Sequence, residues 1–316
     1  MKSKLQLVLL ITSFSTMFFT SCKKDSNTNG IVDFAEESVT HTEDQTTFST
    51  ETDAMANDFN SVVDNFTSLS GREANTLATP CDATVTVDSN SSPRKITITY
   101  NGSTCNPLRT RTGSVVITLP TTVRWRDSGA VMTVSFQNVK ITRTADNKSI
   151  TINGLQTIKN VSGGLVRTVA AQIPGNNNVV VHEIRSSNMS ITFNDSSNRT
   201  WQIARRRTFT NNTGLVITTR GMATVDGVNN VAEWGTNRFG HDFITATTEP
   251  MVVRQSCNFR LTSGQVTHSK LSSIVTVTFG LDSAGVATTC PANAPFYLKM
   301  VYTGANGITR TVIRPY

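Results

Sequence analysis

From Cys81 onward, apolar and polar residues alternate one by one, and that period of two constrains the fold more than any other feature. Ala83, Val85 and Val87 alternate with Thr84, Thr86 and Asp88, and Ile96 and Ile98 alternate with Thr97 and Thr99. The pattern returns at Met132, Val134 and Phe136, and again at Val275, Val277 and Phe279. Successive side chains of a strand point to opposite faces, so this alternation predicts strands with one buried and one wet face. Turn signals punctuate the runs at Asn101-Gly102, Asn153-Gly154, Gly163-Gly164, Asp195 to Asn198, Asp226-Gly227 and Asn306-Gly307. Turns at that spacing imply roughly twenty strands. Open twisted sheets rarely exceed about ten strands before curling or splitting. The expectation is an all-β, large antiparallel meander over residues 74–316, as two packed sheets or two tandem lobes.

Upstream the period is that of a helix. Phe48, Met55, Phe59, Val62, Phe66 and Leu69 fall on one stripe, which predicts an amphipathic helix within residues 46–73. Thr52 and Asp53 stand near its start and Gly71 supplies a stop. Residues 22–45 are polar and acidic with little to bury, and read as a flexible tether.

The first residues follow a processing logic. Lys2 and Lys4 precede an apolar region, Leu5 to Ile11 and Phe14 to Phe19, which is short and interrupted for a membrane span. Phe19-Thr20-Ser21-Cys22 resembles the bacterial lipobox, and with Lys23-Lys24-Asp25 the start is similar to that of Bacteroidota lipoproteins. The resemblance implies that residues 1–21 are a signal peptide and that Cys22 is lipidated at the mature N-terminus. It implies an outer-membrane anchor and leaves the periplasmic and surface leaflets open. Two or more acyl chains make such anchoring stable. The cysteine-bracketed hairpins, the Arg-Thr strands and the ending from Thr309 to Tyr316 resemble a family of Bacteroidota-type envelope lipoproteins. That likeness implies an address and no activity.

With Cys22 set aside, Cys81, Cys105, Cys257 and Cys290 remain. An even remainder in an exported chain reads as two disulfides, with three pairings open. Local pairing is favoured, because Cys81 and Cys105 bracket one predicted hairpin and Cys257 and Cys290 another. Each closure stabilises by about 3–4 kcal/mol in the chain-entropy treatment. A metal site is the rival, but no Cys-x-x-Cys occurs and His41, His182, His241 and His268 are scattered, so no metal or cofactor is expected.

Charge is strongly asymmetric. Residues 23–73 hold three basic and eleven acidic side chains, whereas residues 74–316 hold 24 basic and 11 acidic. Eighteen of those 24 are arginine, which suits planar contacts with carboxylate, phosphate or sulfate. Arg124 and Arg126 flank Trp125, and Trp201, Ile203, Arg205, Arg207 and Phe209 share one strand parity with Arg206 opposite. Arg238 lies near Trp234 and Phe239. These six arginines are the candidate anion-binding residues. Three arrangements fit them: cross-strand ladders on a wet face, a surface for an acidic glycan or lipid head group, or an acidic leader lying against the basic domain. The exported address removes nucleic acid as a target.

No catalytic constellation stands out. His182-Glu183 and His241-Asp242 are adjacent and would point to opposite faces of a strand. No Gly-x-Ser-x-Gly elbow occurs. Carboxylates for glycan hydrolysis could come from Asp127, Glu183, Asp195, Glu233, Asp242 and Glu249, with Glu233, Asp242 and Glu249 the preferred set. The leading expectation is a non-catalytic cell-envelope lipoprotein with a structural or ligand-binding role, possible ligands being anionic glycans. A glycan hydrolase and an apolar-ligand carrier are the alternatives.

Overall fold

The computed structural model describes residues 35–65, 79–103, 108–172, 178–270, 273–291, 294–304, 307 and 309–316. The signal region with Cys22, and Phe66, Leu69, Gly71, Cys105 and Asn306, lie outside the described residues. Helix α1 (Ala35–Asn65) comes first, and a five-residue helix α2 (Val166–Ala170) follows much later. Helix α1 begins at Ala35 rather than near residue 46, so much of the expected tether is helical. Glu36 and Glu37 in its first turn suit the positive end of the helix dipole. Its first turns carry few apolar residues. Tertiary contacts hold them instead, since His41, Thr42, Asp44 and Gln45 are all buried.

The described residues form fifteen strands. They run β1 (Ala83–Asp88), β2 (Arg94–Asn101), β3 (Arg109–Leu119), β4 (Val131–Arg143), β5 (Ser149–Asn160) and β6 (Val179–Phe193). Then come β7 (Asn198–Asn211), β8 (Leu215–Gly221), β9 (Ala223–Val225), β10 (Val228–Thr236) and β11 (Asp242–Arg254). The chain ends with β12 (Arg260–Lys270), β13 (Ser273–Leu281), β14 (Tyr297–Thr303) and β15 (Thr309–Pro315). The all-β meander preceded by a helix is therefore present. Hydrogen bonding is continuous from β1 to β15, so the strands form one sheet rather than two separate sheets or tandem lobes. Between β7 and β11, β8 and the end of β10 share one strand position. β8 pairs with Arg205 to Asn211 of β7, and Glu233 to Gly235 of β10 pair with Trp201 to Ile203. The Asp226-Gly227 turn caps the hairpin thrown out between them.

Bulges explain both the long strands and the absence of a split. Asn153-Gly154 is not a turn but lies inside β5, where the register shifts against β6. Gly154 has φ of +116°, and a Cβ there would stand 2.4 Å from the Asn188 carbonyl oxygen. Gly113 repeats the arrangement against Asn138 across β3 and β4. Only glycine tolerates such an approach, and each bulge sharpens twist and curvature. A sheet bent at repeated bulges can curl around a helix instead of dividing.

The main core is what this curling encloses. Phe48, Met55, Phe59, Val62 and Val63 of α1 pack with inward residues of β2 to β7 such as Ile98, Ile117, Val134, Ile152 and Trp201. A second cluster joins α2 to β6, β7 and β8 through Val169, Val180, Phe209 and Ile217. A third, around Val277, Phe279, Leu298 and Met300, receives Val39 of α1. Cys257 and Cys290 form a disulfide across the β12–β13 hairpin, as expected. Cys81 is also disulfide-bonded.

Candidate functional site

The chemically dense part of the molecule is the seam where α1 lies in the sheet. Helix α1 carries eight carboxylates and no lysine or arginine. Glu37, Asp44, Glu51 and Asp58 recur every seven residues, which places them along one edge of the helix. Each meets a basic side chain, two from the connection between β10 and β11 and two from β3. The pairs are Glu37 with His241 at 2.8 Å, Asp44 with Arg238 at 2.6 Å, Glu51 with Arg109 at 2.5 Å and Asp58 with Arg111 at 2.8 Å. Arg111 also bridges bidentately to Asp82, both contacts at 2.7 Å. Burial raises the Asp44, Glu51 and Asp58 carboxyls, against the pull of their arginines.

The other edge of α1 supplies a node around Glu233, which is 1% exposed. Its Oε1 accepts from Gln45 at 2.8 Å and from Ser49 and Arg205. Its Oε2 accepts from Trp201 Nε1 at 2.7 Å. Arg205 reaches Asp53 as well, at 3.1 Å. Burial opposes the charge on Arg205, but Glu233 and Asp53 outweigh it and raise its pKa. A buried ion pair is tolerated when every remaining polar atom is bonded, and this node satisfies that condition.

Three buried histidines line the same interior. His41 of α1 packs on Phe243 at 4.4 Å and His268 at 5.1 Å between ring centres. Burial, then His268, drives His41 well below the ordinary imidazole range. Burial pushes His268 down to about 4 while Thr245 holds its Nδ1 at 2.9 Å. His182 is pushed to about 3 by burial and by Arg207. Near the end of α1, burial lifts Asp64 to about 7 despite the Arg167 backbone N–H at 3.2 Å.

The six arginines singled out in the sequence separate cleanly. Arg205 and Arg207 face inward, Arg206 faces outward, and the register of β7 against β6 is unbroken there. Arg238 lies over Phe193 at 4.7 Å and against Asp44. Arg124 and Arg126 are exposed in a turn between β3 and β4, not in a strand, while Trp125 between them is fully buried. Outside, Lys159, Glu183, Arg206 and Arg220 stand directly opposite one another across β5, β6, β7 and β8. Arg206 meets Glu183 only at 3.7 Å, and Arg185 lies exposed two residues along β6.

The carboxylates considered for hydrolysis are not brought together. Glu233 and Asp242 point to opposite faces of the β10–β11 pair, and Asp242 and Glu249 are exposed. Asp127 and Asp195 are exposed in turns, at Arg124 N and at Ser197. His182 faces inward and Glu183 outward. Helix α1 occupies the concave face that an apolar ligand would need. A groove of about 230 Å³ beside its first turns, lined by Val39, Val275, Met300, Tyr302 and Val312, is below the usual size of a ligand site.

Sequence reasoning missed Arg109, Arg111 and Asp82 as members of this seam. The seven-residue spacing of Glu37, Asp44, Glu51 and Asp58 was the available signal, because residues seven apart lie along one edge of a helix and the basic excess downstream complements such an edge. No protein-family model matches the chain, and neither a curated protein nor a solved structure shows significant similarity to it.

Proposed function

We propose that the chain is a non-catalytic, lipid-anchored β protein of the cell envelope that binds an anionic glycan through its outer face. The observation that carries this reading is the row of Lys159, Arg206 and Arg220 with Arg185 beside it. Arg206 and Arg220 are directly opposed like charges on exposed strand positions, an arrangement that costs stability unless an anion joins them. Arg205 and Arg238 are engaged by the chain's own carboxylates, and the exposed row, with Arg124 and Arg126, is what the outer face offers a polyanion. Envelope address and lipidation of Cys22 rest on the lipobox resemblance. The hydrolase reading has less support, since Glu233 is buried and fully bonded on the face opposite Asp242.

The test is retention of the full chain on an immobilised polyuronate at low salt, beside neutral and anionic lipid vesicles. Binding to the polyuronate that weakens as salt rises is expected. Elution at clearly lower salt is expected for Arg206→Ser combined with Arg220→Ser. Retention on anionic vesicles alone would shift the ligand to a lipid head group, and no retention on either would overturn the reading.

A further inference from the structure

Two residues beyond Arg205 the same face of β7 presents Arg207, which is 1% exposed. Its surroundings differ sharply. Arg207 donates from Nη2 to Asn57 of α1 at 3.0 Å, while its buried Nε and Nη1 have no partner among the described residues. Asp53, the carboxylate that acts on it, is hydrogen-bonded to Arg205 instead. His182 stands directly opposite Arg207 on β6, and its Nε2 is also buried without a partner. The fully buried Trp125 ring lies 5.1 Å from the His182 ring, and its Nε1–H is unpartnered too. Phe209 completes the wall, 5.0 Å from His182 and 5.3 Å below the Arg207 guanidinium.

These unpartnered groups share one chemistry. Guanidinium and indole nitrogens can only donate hydrogen bonds, and a neutral imidazole donates when its proton sits on Nε2. A guanidinium does not lose its proton in a protein, so Arg207 remains a cation in an apolar surround. Asp53 is committed by hydrogen bond to Arg205, so the buried charge on Arg207 is only partly offset, which costs stability. Water would accept from one or two of these donors but bring no charge, whereas an anion accepts from every side and supplies the missing counter-charge.

We infer that the cluster of unpartnered buried donors on Arg207, His182 and Trp125 forms a binding site for a small monovalent anion of halide size. The anion takes N–H donors from Arg207 and Trp125 and bridges β6, β7 and the β3–β4 turn behind α1. It acts as a structural ligand that stabilises the seated helix, and it is independent of any polyanion on the outer face.

The experiment is thermal unfolding of the full chain at fixed ionic strength, with chloride replacing gluconate, which is too large to enter. Tm should rise by roughly 2–5 °C and saturate, because an anion that binds only the folded state stabilises it by mass action. Arg207→Met should remove the chloride-specific rise. Bromide crystals give a second readout that needs no variant, with an anomalous peak expected between Arg207 and Trp125. Equal Tm in chloride and gluconate, a rise that persists in Arg207→Met, or bromide crystals without that peak would overturn the inference.

Discussion

On the inner face of β7, Arg205 is held by Glu233, Asp53 and Ser49, and Arg207 reaches Asn57 of the helix. On the outer face Arg206, between them in sequence, meets Glu183 at 3.7 Å and leaves 51% of its side chain exposed. One residue of strand parity separates a group built into the helix seam from a group turned to solvent. The difference teaches that the basic excess of this domain has two destinations. Part of it receives an acidic helix, and the remainder is surface. Counting arginines cannot distinguish these, whereas parity and the helix's acidic ridge can.

The largest effect should come from breaking the inner side. Glu233→Ala leaves Arg205, Trp201 Nε1 and Gln45 without their common acceptor. Removing one member of a buried pair costs about 3–5 kcal/mol. Urea denaturation should show that loss, and replacing both Arg205 and Glu233 by apolar residues of similar volume should cost less than Glu233→Ala alone. If both variants unfold like the unaltered chain, the node does not hold the helix.

The inner face also makes stability depend on pH, in two opposed directions. His268 has its pKa lowered to about 4 in the folded chain, below the unfolded value near 6.5. Its contribution is complete above about pH 6.5 and is lost as pH falls towards 4. Between pH 7 and 5 that loss is about 2 kcal/mol. His182, at about 3, behaves alike. Measured against His268→Asn, the advantage of the unaltered chain should therefore shrink by about 2 kcal/mol over that interval.

Asp64 works the other way. Its folded pKa is raised to about 7, so its contribution is complete below the unfolded value near 3.9 and is lost as pH rises through 7. From pH 5 to 7 the loss is on the order of 2–3 kcal/mol. Asp64→Asn keeps the shape without the ionisation, and should gain on the unaltered chain by that amount over the same interval. A constant gap between the two would show that Asp64 ionises freely.

Much of this was legible in residues alone, and the failures share a cause. The parity of Trp201, Ile203, Arg205, Arg207 and Phe209 was readable, because strand alternation is local and no bulge interrupts it. The start of α1 was not, because Ala35 to Gln45 looks like solvated tether until Arg238, His241 and Arg314 arrive from the far end of the chain. Asn153-Gly154 carries the same letters as a hairpin turn, and only the close passage of Asn188 makes it a bulge. The single sheet follows from such bulges, which depend on neighbouring strands. Trp125, flanked by two arginines, sits in a turn that buries it as well as a strand would, with Asn160 bonded to its carbonyl at 2.8 Å. Pairing across long sequence separations decided each of these.

The smallest expected change in stability lies on the outer face, and it sharpens the contrast most. Arg206→Ala loses a long contact to Glu183 and relieves the opposition with Arg220, so the two effects offset. Its unfolding free energy should stay within about 0.5 kcal/mol of the unaltered chain. Neighbouring Arg205→Ala should cost several kcal/mol, since it strands Glu233 in the interior. The pair of variants isolates position from chemistry, because both remove one arginine from adjacent sites on the same strand. An outer-face variant that keeps its stability but elutes earlier from a polyuronate column locates binding on that row. One that keeps both makes the row a solvated ladder, and the arginines of β7 would then serve the helix alone.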